Sequence, residues 1–177
     1  MDIVIVNKRC ASTKVKGLEE DGYVVFDVTS SSKDPNLCKF SPFYPHGSIA
    51  IDGHVSESVE GLWQGLKVFE NHGIDESKFA IRSMKNLKRT TRKFGKVLGH
   101  MYNKEVIGYV QARKLIFLPA YEQVLNKLSK ELCDMKQHTK IVLLDYNTNE
   151  NIEDVRKPLS HASLIKTRLL ETNLGSI

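Results

Sequence analysis

Ser58-Val59-Glu60-Gly61-Leu62-Trp63-Gln64-Gly65-Leu66-Lys67-Val68-Phe69 is the stretch on which the reading of this chain turns. Val59, Leu62, Trp63 and Leu66 recur at i, i+3, i+4 and i+7, which predicts one apolar face of a helix. Ser56 or Ser58 can cap that helix, and Asn71-His72-Gly73 can stop it. Glu60, Gln64 and Lys67 share the helical spacing and form a polar stripe beside the apolar one. An acid, an amide and an amine held close together suit a site that recognises a polar substrate and moves a proton. The competing reading from spacing alone, and the commoner one, is a plain solvated face. Trp63 lies on the apolar stripe, where such a residue is more often core than ligand platform.

Working outward, residues 3–6 and 23–28 read as strands, apolar and rich in β-branched or aromatic side chains. A polar connection ending in the turn Glu20-Asp21-Gly22 joins them. Residues 30–36 are a loop by composition. Phe40-Ser41-Pro42-Phe43-Tyr44-Pro45 follows, and its two prolines exclude a helix or a central strand. This aromatic loop either packs under the core or lines a pocket. Ile49-Ala50-Ile51 reads as a short strand with Asp52-Gly53 as the turn after it. Downstream, Ser77 is read as the cap of a second helix through residue 94, and residues 104–117 as a third. Pro119 opens a fourth, in which Tyr121, Val124, Leu125, Leu128 and Leu132 keep helical spacing. Residues 140–145 form a compact apolar strand, and Ser160 caps a last helix through residue 171. Strands, a run of helices, a late strand and a final helix make an α+β fold, mostly helical. A chain of 177 residues predicts a single domain over 1–177.

Composition narrows the function classes. The hydrophobic fraction is 41% and the charged fraction 27%, ordinary for a globular protein, and no apolar run approaches a bilayer span. The N-terminus lacks a basic region and a cleavage site, so it does not read as a signal peptide. Cys10, Cys38 and Cys133 are odd in number and widely spaced, which argues against a disulfide framework or a zinc site and for a cytoplasmic setting. No cofactor or metal is expected. The net charge of +5 is concentrated in residues 77–100, where Lys78, Arg82, Lys85, Lys88, Arg89, Arg92, Lys93 and Lys96 occur without one acid. Such a run is usually a solvated face, but this excess points to a phosphate-bearing partner, a substrate pyrophosphate or a DNA or RNA backbone. The phosphate loops GxGxxG and GxxxxGK[ST] are absent, as are HExxH and GxSxG.

Three groups of residues carry a resemblance to the NADAR domain family, associated with NAD and ADP-ribose metabolism. Phe40-Ser41-Pro42-Phe43-Tyr44-Pro45 stands where that family has a Ser-Asn-Phe motif, with Pro42 in place of Asn. Ser58-Val59-Glu60, Gln64 and Lys67 match its Ser-x-Glu…Gln…Lys helix. The basic run into Gly95-Lys96, then Arg113, follows its order of basic elements, and residues 160–169 resemble its closing helix. The family's active-site Trp and its late Asp-x-x-Trp-Gly motif are absent. Asp145 and Glu150 are the candidates for the missing carboxylate. The likeness spans residues 40–170.

The resemblance implies a hydrolase that cleaves an N-glycosidic bond in a nucleotide, an ADP-ribosyl conjugate such as ADP-ribosylated guanine in DNA, or a modified base. Such an enzyme would fit a phage or bacterial defence locus. An oxocarbenium-like sugar forms in that reaction, and a carboxylate steadies it or activates water. Glu60, Lys67 and Asp145 are the catalytic candidates. Phe40, Ser41, Phe43, Tyr44, Trp63, Gln64, Arg89, Arg113 and His161 are the candidates for binding substrate. Each has a structural alternative: Asp145 a turn cap, His161 a structural or exposed residue, Phe43 and Tyr44 core. The alternative functions are a nucleic-acid-binding protein using residues 77–100, or a module that holds ADP-ribose or a nucleotide without turnover.

Overall fold

The computed structural model describes residues 1–171; the end of the domain expected over 1–177 lies outside the described residues. In chain order the elements are β1 (Asp2–Asn7), α1 (Ser12–Glu20), β2 (Val24–Asp27), β3 (Ile49–Ile51), β4 (His54–Ser56), α2 (Val59–Gly65), β5 (Lys67–Phe69) and α3 (Thr91–Phe94). They continue with β6 (Val97–Tyr102), β7 (Glu105–Ile107), α4 (Tyr109–Ala112), α5 (Leu118–Lys127), α6 (Ser129–Met135), β8 (Lys140–Asp145) and α7 (His161–Leu170). Helices mix with several small sheets, so the fold class is α+β, as the order of elements predicts. The chain divides into two compact units, Pro42–Asn126 and the remainder.

The unit formed by Met1–Ser41 and the chain from Lys127 onward is built on a parallel sheet in the order β1-β8-β2. Ile3 pairs with Ile141 and Val25 with Val142, so the late strand inserts between the two early ones. Ile141, Val142 and Leu143 are fully buried, the pattern of a parallel strand covered on both faces. Parallel strands need a crossover, and α1 supplies one between β1 and β2. The sequence reading took this segment for a polar connection. Only Val15 and Leu18 of α1 are even half-buried, too thin a stripe to announce a helix by periodicity. α7 packs on β8 and β1 through Ala162, Ile165 and Leu169, all buried.

In the other unit, β3 and β4 form a hairpin whose turn residues Asp52 and Gly53 both take positive φ, 50° and 77°. That is the geometry in which a two-residue turn matches the strand twist. α2 leads into the antiparallel sheet β5-β6-β7. Gly65 lets α2 approach the turn at residues 76–79, because a β-carbon there would overlap the Phe79 ring.

Three helix expectations are corrected. The helix expected to run to residue 69 ends at Gly65, because Asp75 and Met101 amides take the Gly65 and Leu66 carbonyls and draw the chain into β5. Residues 77–94 hold only a 3-10 turn, Glu76–Lys78, and the short α3; Asp75, not Ser77, is the cap. Like charges without acids give a helix no i,i+4 support, and the Arg89 amide bonds to Gln64 Oε1 instead. The helix expected over 104–117 begins at Tyr109; Asn103 and Lys104, at φ 49° and 65°, turn β6 back into β7. A π-helical turn, Arg113–Phe117, then runs directly into α5. A wider turn there suits Pro119, which has no N–H to return to the preceding turn. Tyr121, Val124, Leu125, Leu128 and Leu132 are all buried as their spacing predicts.

Candidate active site

Ser58 caps α2, its hydroxyl accepting the Gly61 amide at 2.9 Å. This fixes the first turn of α2, where the Glu60 amide donates to the Pro42 carbonyl at 2.8 Å. Glu60 is 8% exposed. Gln64 Nε2 donates to its Oε1 at 2.7 Å, and Gln64 Oε1 in turn accepts from Lys67 Nζ at 3.2 Å. Acid, amide and amine therefore make one continuous chain, although Lys67 sits on β5 and not on the helix. Burial raises the Glu60 pKa above its ordinary value, and the Gln64 hydrogen bond and the charges of Lys67 and Lys88 only partly restrain it. Burial likewise lowers the Lys67 pKa, with Glu60 working the other way. Opposite shifts in an acid and an amine one bridge apart are a recognised mark of a functional site.

The aromatic loop flanks this chain. Lys88, exposed, lies 5.7 Å from the centre of the Phe43 ring and close enough to Glu60 to lower its pKa. Tyr44 is half-buried, its ring 4.8 Å from that of His46. Trp63 is 7% exposed and packs among His100, Tyr109 and Phe117, with the His100 ring centre at 3.8 Å. Trp63 is thus mainly a core residue. Gln64 has its carbonyl oxygen committed to Lys67 and to the Arg89 amide, so it orients Glu60 more readily than it reads a ligand. His100, on β6 opposite Lys67, is fully buried.

Arg89 is buried, and its guanidinium faces protein on all sides. Nη1 donates to the carbonyls of Gln64 and Lys67 at 3.1 and 2.6 Å, and Nη2 to that of Gly73 at 2.7 Å. Phe69 and Phe94 lie on it at 4.7 and 5.0 Å. It satisfies carbonyls that the end of α2 leaves open, a structural task. Arg113 is 2% exposed on the π-helical turn, 4.9 Å from the Tyr109 ring centre. His100 was missed by the sequence reading, and Lys88 was named there for nucleic-acid binding and not beside Glu60. Lys88 was legible only as one charge in a run, and a lone histidine in an apolar strand carries no signal.

Asp145 and His161 belong to the other unit, as do Phe40 and Ser41, both buried. Asp145 ends β8 and is 2% exposed. Its Oδ2 accepts from Ser160 Oγ at 2.7 Å and the Ala162 amide at 3.2 Å, and meets His161 Nδ1 at 3.1 Å; its Oδ1 accepts the Tyr146 amide at 2.6 Å. His161 Nε2 lies 2.8 Å from the Val28 carbonyl, which calls for a donor at both ring nitrogens and hence an imidazolium. Burial opposes both charges, but the pair outweighs it, holding Asp145 at about 2 and raising His161. Ser160 stands at the N-cap of α7, yet its hydroxyl turns to Asp145, and Asp145 takes the α7 amide in its place. Serine, histidine and aspartate are adjacent here without forming a nucleophilic triad, since Ser160 donates to the acid rather than to the imidazole.

Among the described residues, no group of three His, Cys, Asp or Glu side chains could hold a metal ion, and no helix is long and apolar enough to cross a membrane. All three cysteines are free thiols. No curated protein matches the chain. A family model described as a family of unknown function, DUF6939, matches residues 7–165, and the chain belongs to that family.

Proposed function

We propose that the protein is an N-glycosidase acting on a nucleotide, an ADP-ribosyl conjugate or a modified nucleobase, with Glu60 as its acid–base group. The observation that carries this reading is the Glu60 carboxyl itself. It is nearly buried, raised in pKa and held at one oxygen by Gln64, with no other hydrogen bond among the described residues. A carboxyl so placed holds a proton more readily than an ordinary carboxylate, which suits an acid–base group. In the reaction, the oxygen of a water molecule adds to the anomeric carbon while the C–N bond breaks and its electron pair leaves with the base. Glu60 takes the proton from the water and releases it to the departing base. Lys67 and Lys88 keep the carboxyl from becoming too weak an acid and can meet a substrate phosphate. Phe43 offers a flat face beside Lys88 for a base. The likeness of Glu60, Gln64 and Lys67 to the NADAR helix supports the assignment. Asp145, saturated with partners, is assigned to holding α7 on β8. Three free thiols suit a cytoplasmic setting.

The test is mass spectrometry of the purified protein with ADP-ribosylated DNA and a nucleotide panel, wild type beside Glu60→Gln. Release of ADP-ribose or a free base by wild type alone is the expected result. Equal release by both proteins removes Glu60 from the chemistry.

A second reading, nucleic-acid binding, is favoured by one observation: Lys85, Lys88, Arg92, Lys93 and Lys96 are all exposed on the unit that carries Glu60. Under it, DNA affinity falls steeply with salt and with Lys88→Ala and Arg92→Ala, and is indifferent to Glu60→Gln.

A further inference from the structure

His100 and Arg89 Nε carry the buried side-chain polar atoms without a hydrogen-bond partner among the described residues; Arg89 satisfies its other nitrogens, whereas His100 has no partner at either of its two. The imidazole is fully buried, and among the described residues neither Nδ1 nor Nε2 has a hydrogen-bond partner. In either neutral tautomer the ring presents one donor and one acceptor, so both ends are bare. Buried polar groups in folded proteins are nearly always paired, and an apolar ring would fill this place without the desolvation cost. The place is also specific. In the β5–β6 register His100 stands opposite Lys67, the end of the Glu60–Gln64–Lys67 chain. Its face lies on the indole of Trp63, the residue before Gln64, and Tyr109 is at 6.0 Å. Lys67 and Tyr109 are its half-exposed neighbours, and the Lys67 stem is flexible. Burial and the Lys67 charge hold the ring neutral, its pKa near 3; the Trp63 backbone approaches the ring and works the other way, without the geometry of a full hydrogen bond. A neutral imidazole brings no charge to a phosphate; its one donor and one acceptor match an uncharged polar edge.

We propose that His100 is the base-reading group of this site, hydrogen-bonding an uncharged edge of the substrate's nucleobase when Lys67 moves onto the ligand. The assignment rests on the reading of Glu60 as the centre of N-glycoside cleavage. Phosphate recognition falls to the lysines and base recognition to His100, so the two can be separated by probe.

The experiment is calorimetric titration of wild type, His100→Phe and His100→Gln with the four ribonucleoside monophosphates and with ribose 5-phosphate, which lacks a base. Melting temperatures are measured alongside. His100→Phe is expected to melt at or above the wild-type temperature while losing tenfold or more in affinity for the preferred nucleotide and less than twofold for ribose 5-phosphate. His100→Gln, which restores a donor and an acceptor, recovers part of the loss. Equal nucleotide affinity in wild type and His100→Phe overturns the proposal and leaves the Glu60 reading intact. Equal losses for nucleotide and ribose 5-phosphate also overturn it. A wild type that binds none of the probes overturns both. Where His100→Phe does not fold, the ¹⁵N resonances of the wild-type His100 ring decide: a shift on saturation with nucleotide supports the role, and no shift refutes it.

Discussion

Asp145→Asn tests the electrostatics of the β8–α7 junction directly. Holding a carboxyl at about 2 when its ordinary value is 3.8 is worth about 2.5 kcal/mol of stability at neutral pH, from about 1.4 kcal/mol per pH unit. A depressed carboxyl contributes its stability above the unfolded value and loses it as pH falls through the folded one. Wild type should therefore weaken between about pH 4 and pH 2. His161 acts with the opposite sign, because its pKa is raised. Its contribution is full below the ordinary value of 6.5 and is lost as pH rises through the folded value. Asparagine keeps one oxygen for Ser160 or the Ala162 amide but removes the charge that keeps His161 protonated. Breaking one partner of a buried pair costs about 3–5 kcal/mol, so the variant should lose that much near pH 6. Urea unfolding followed by circular dichroism at half-unit steps from pH 2 to 9 reads both limbs. Asp145→Asn should lack most of the acid slope seen in wild type. A variant whose profile runs parallel to wild type, displaced by a constant amount, would show that the carboxyl does not act there as a paired charge.

Other expectations follow from the Glu60 unit. Gly65→Ala places a methyl into the Phe79 ring and should cost about 1–3 kcal/mol by urea unfolding, with Phe79→Leu in the same chain recovering part of it. Arg89→Lys keeps the charge but cannot span the Gln64, Lys67 and Gly73 carbonyls; a loss of about 2–4 kcal/mol is expected, whereas exposed Lys88→Ala should stay within about 0.5 kcal/mol. In the pH–rate profile, activity should fall with acid through a pKa above 4.5, as Glu60 takes up its proton. Gln64→Leu removes a hydrogen bond that lowers that pKa, so the acid limb should move to higher pH; a limb that stays put would mean that another group is titrating.

How much was legible in the chain follows from how local each cause is. The strand over residues 140–145 appears with those bounds because a short run of Ile, Val and Leu has few alternatives. The Ser58 cap and the apolar face of α2 were readable because both are local rules. The ends of the helices were not. α2 stops at Gly65 because Asp75 and Met101, distant in sequence, claim its last carbonyls. Residues 77–94 fail to become a helix partly because Arg89 is drawn to the end of α2, a contact that charge counting turns into the opposite reading of a solvated cation. The candidate site was half legible: Glu60, Gln64 and Lys67 do join by hydrogen bonds, while the surroundings of His100 exist only once β5 and β6 are registered.

The two buried side-chain carboxyls among the described residues show how differently a fold can compensate a buried acid. Asp145 and Glu60 are exposed to nearly the same small degree, 2% and 8%, so burial by itself does not distinguish them. The partners do. Asp145 has three backbone amides, a hydroxyl and an imidazolium on its two oxygens, and its pKa is held down to about 2. Any proton transfer there would first have to dismantle the junction that seats α7. Glu60 has one side-chain amide and a lysine beyond it, which leaves its desolvation largely uncompensated and its pKa raised. An acid kept out of water with so few partners is destabilised as an anion, and a fold gains nothing from that unless the carboxyl has a use. The same reasoning applies to His100, whose two ring nitrogens are out of water with no hydrogen-bond partner among the described residues. Both uncompensated groups meet at Lys67, one through Gln64 and the other across the β5–β6 ladder, and that convergence is the strongest reason to look for the substrate there.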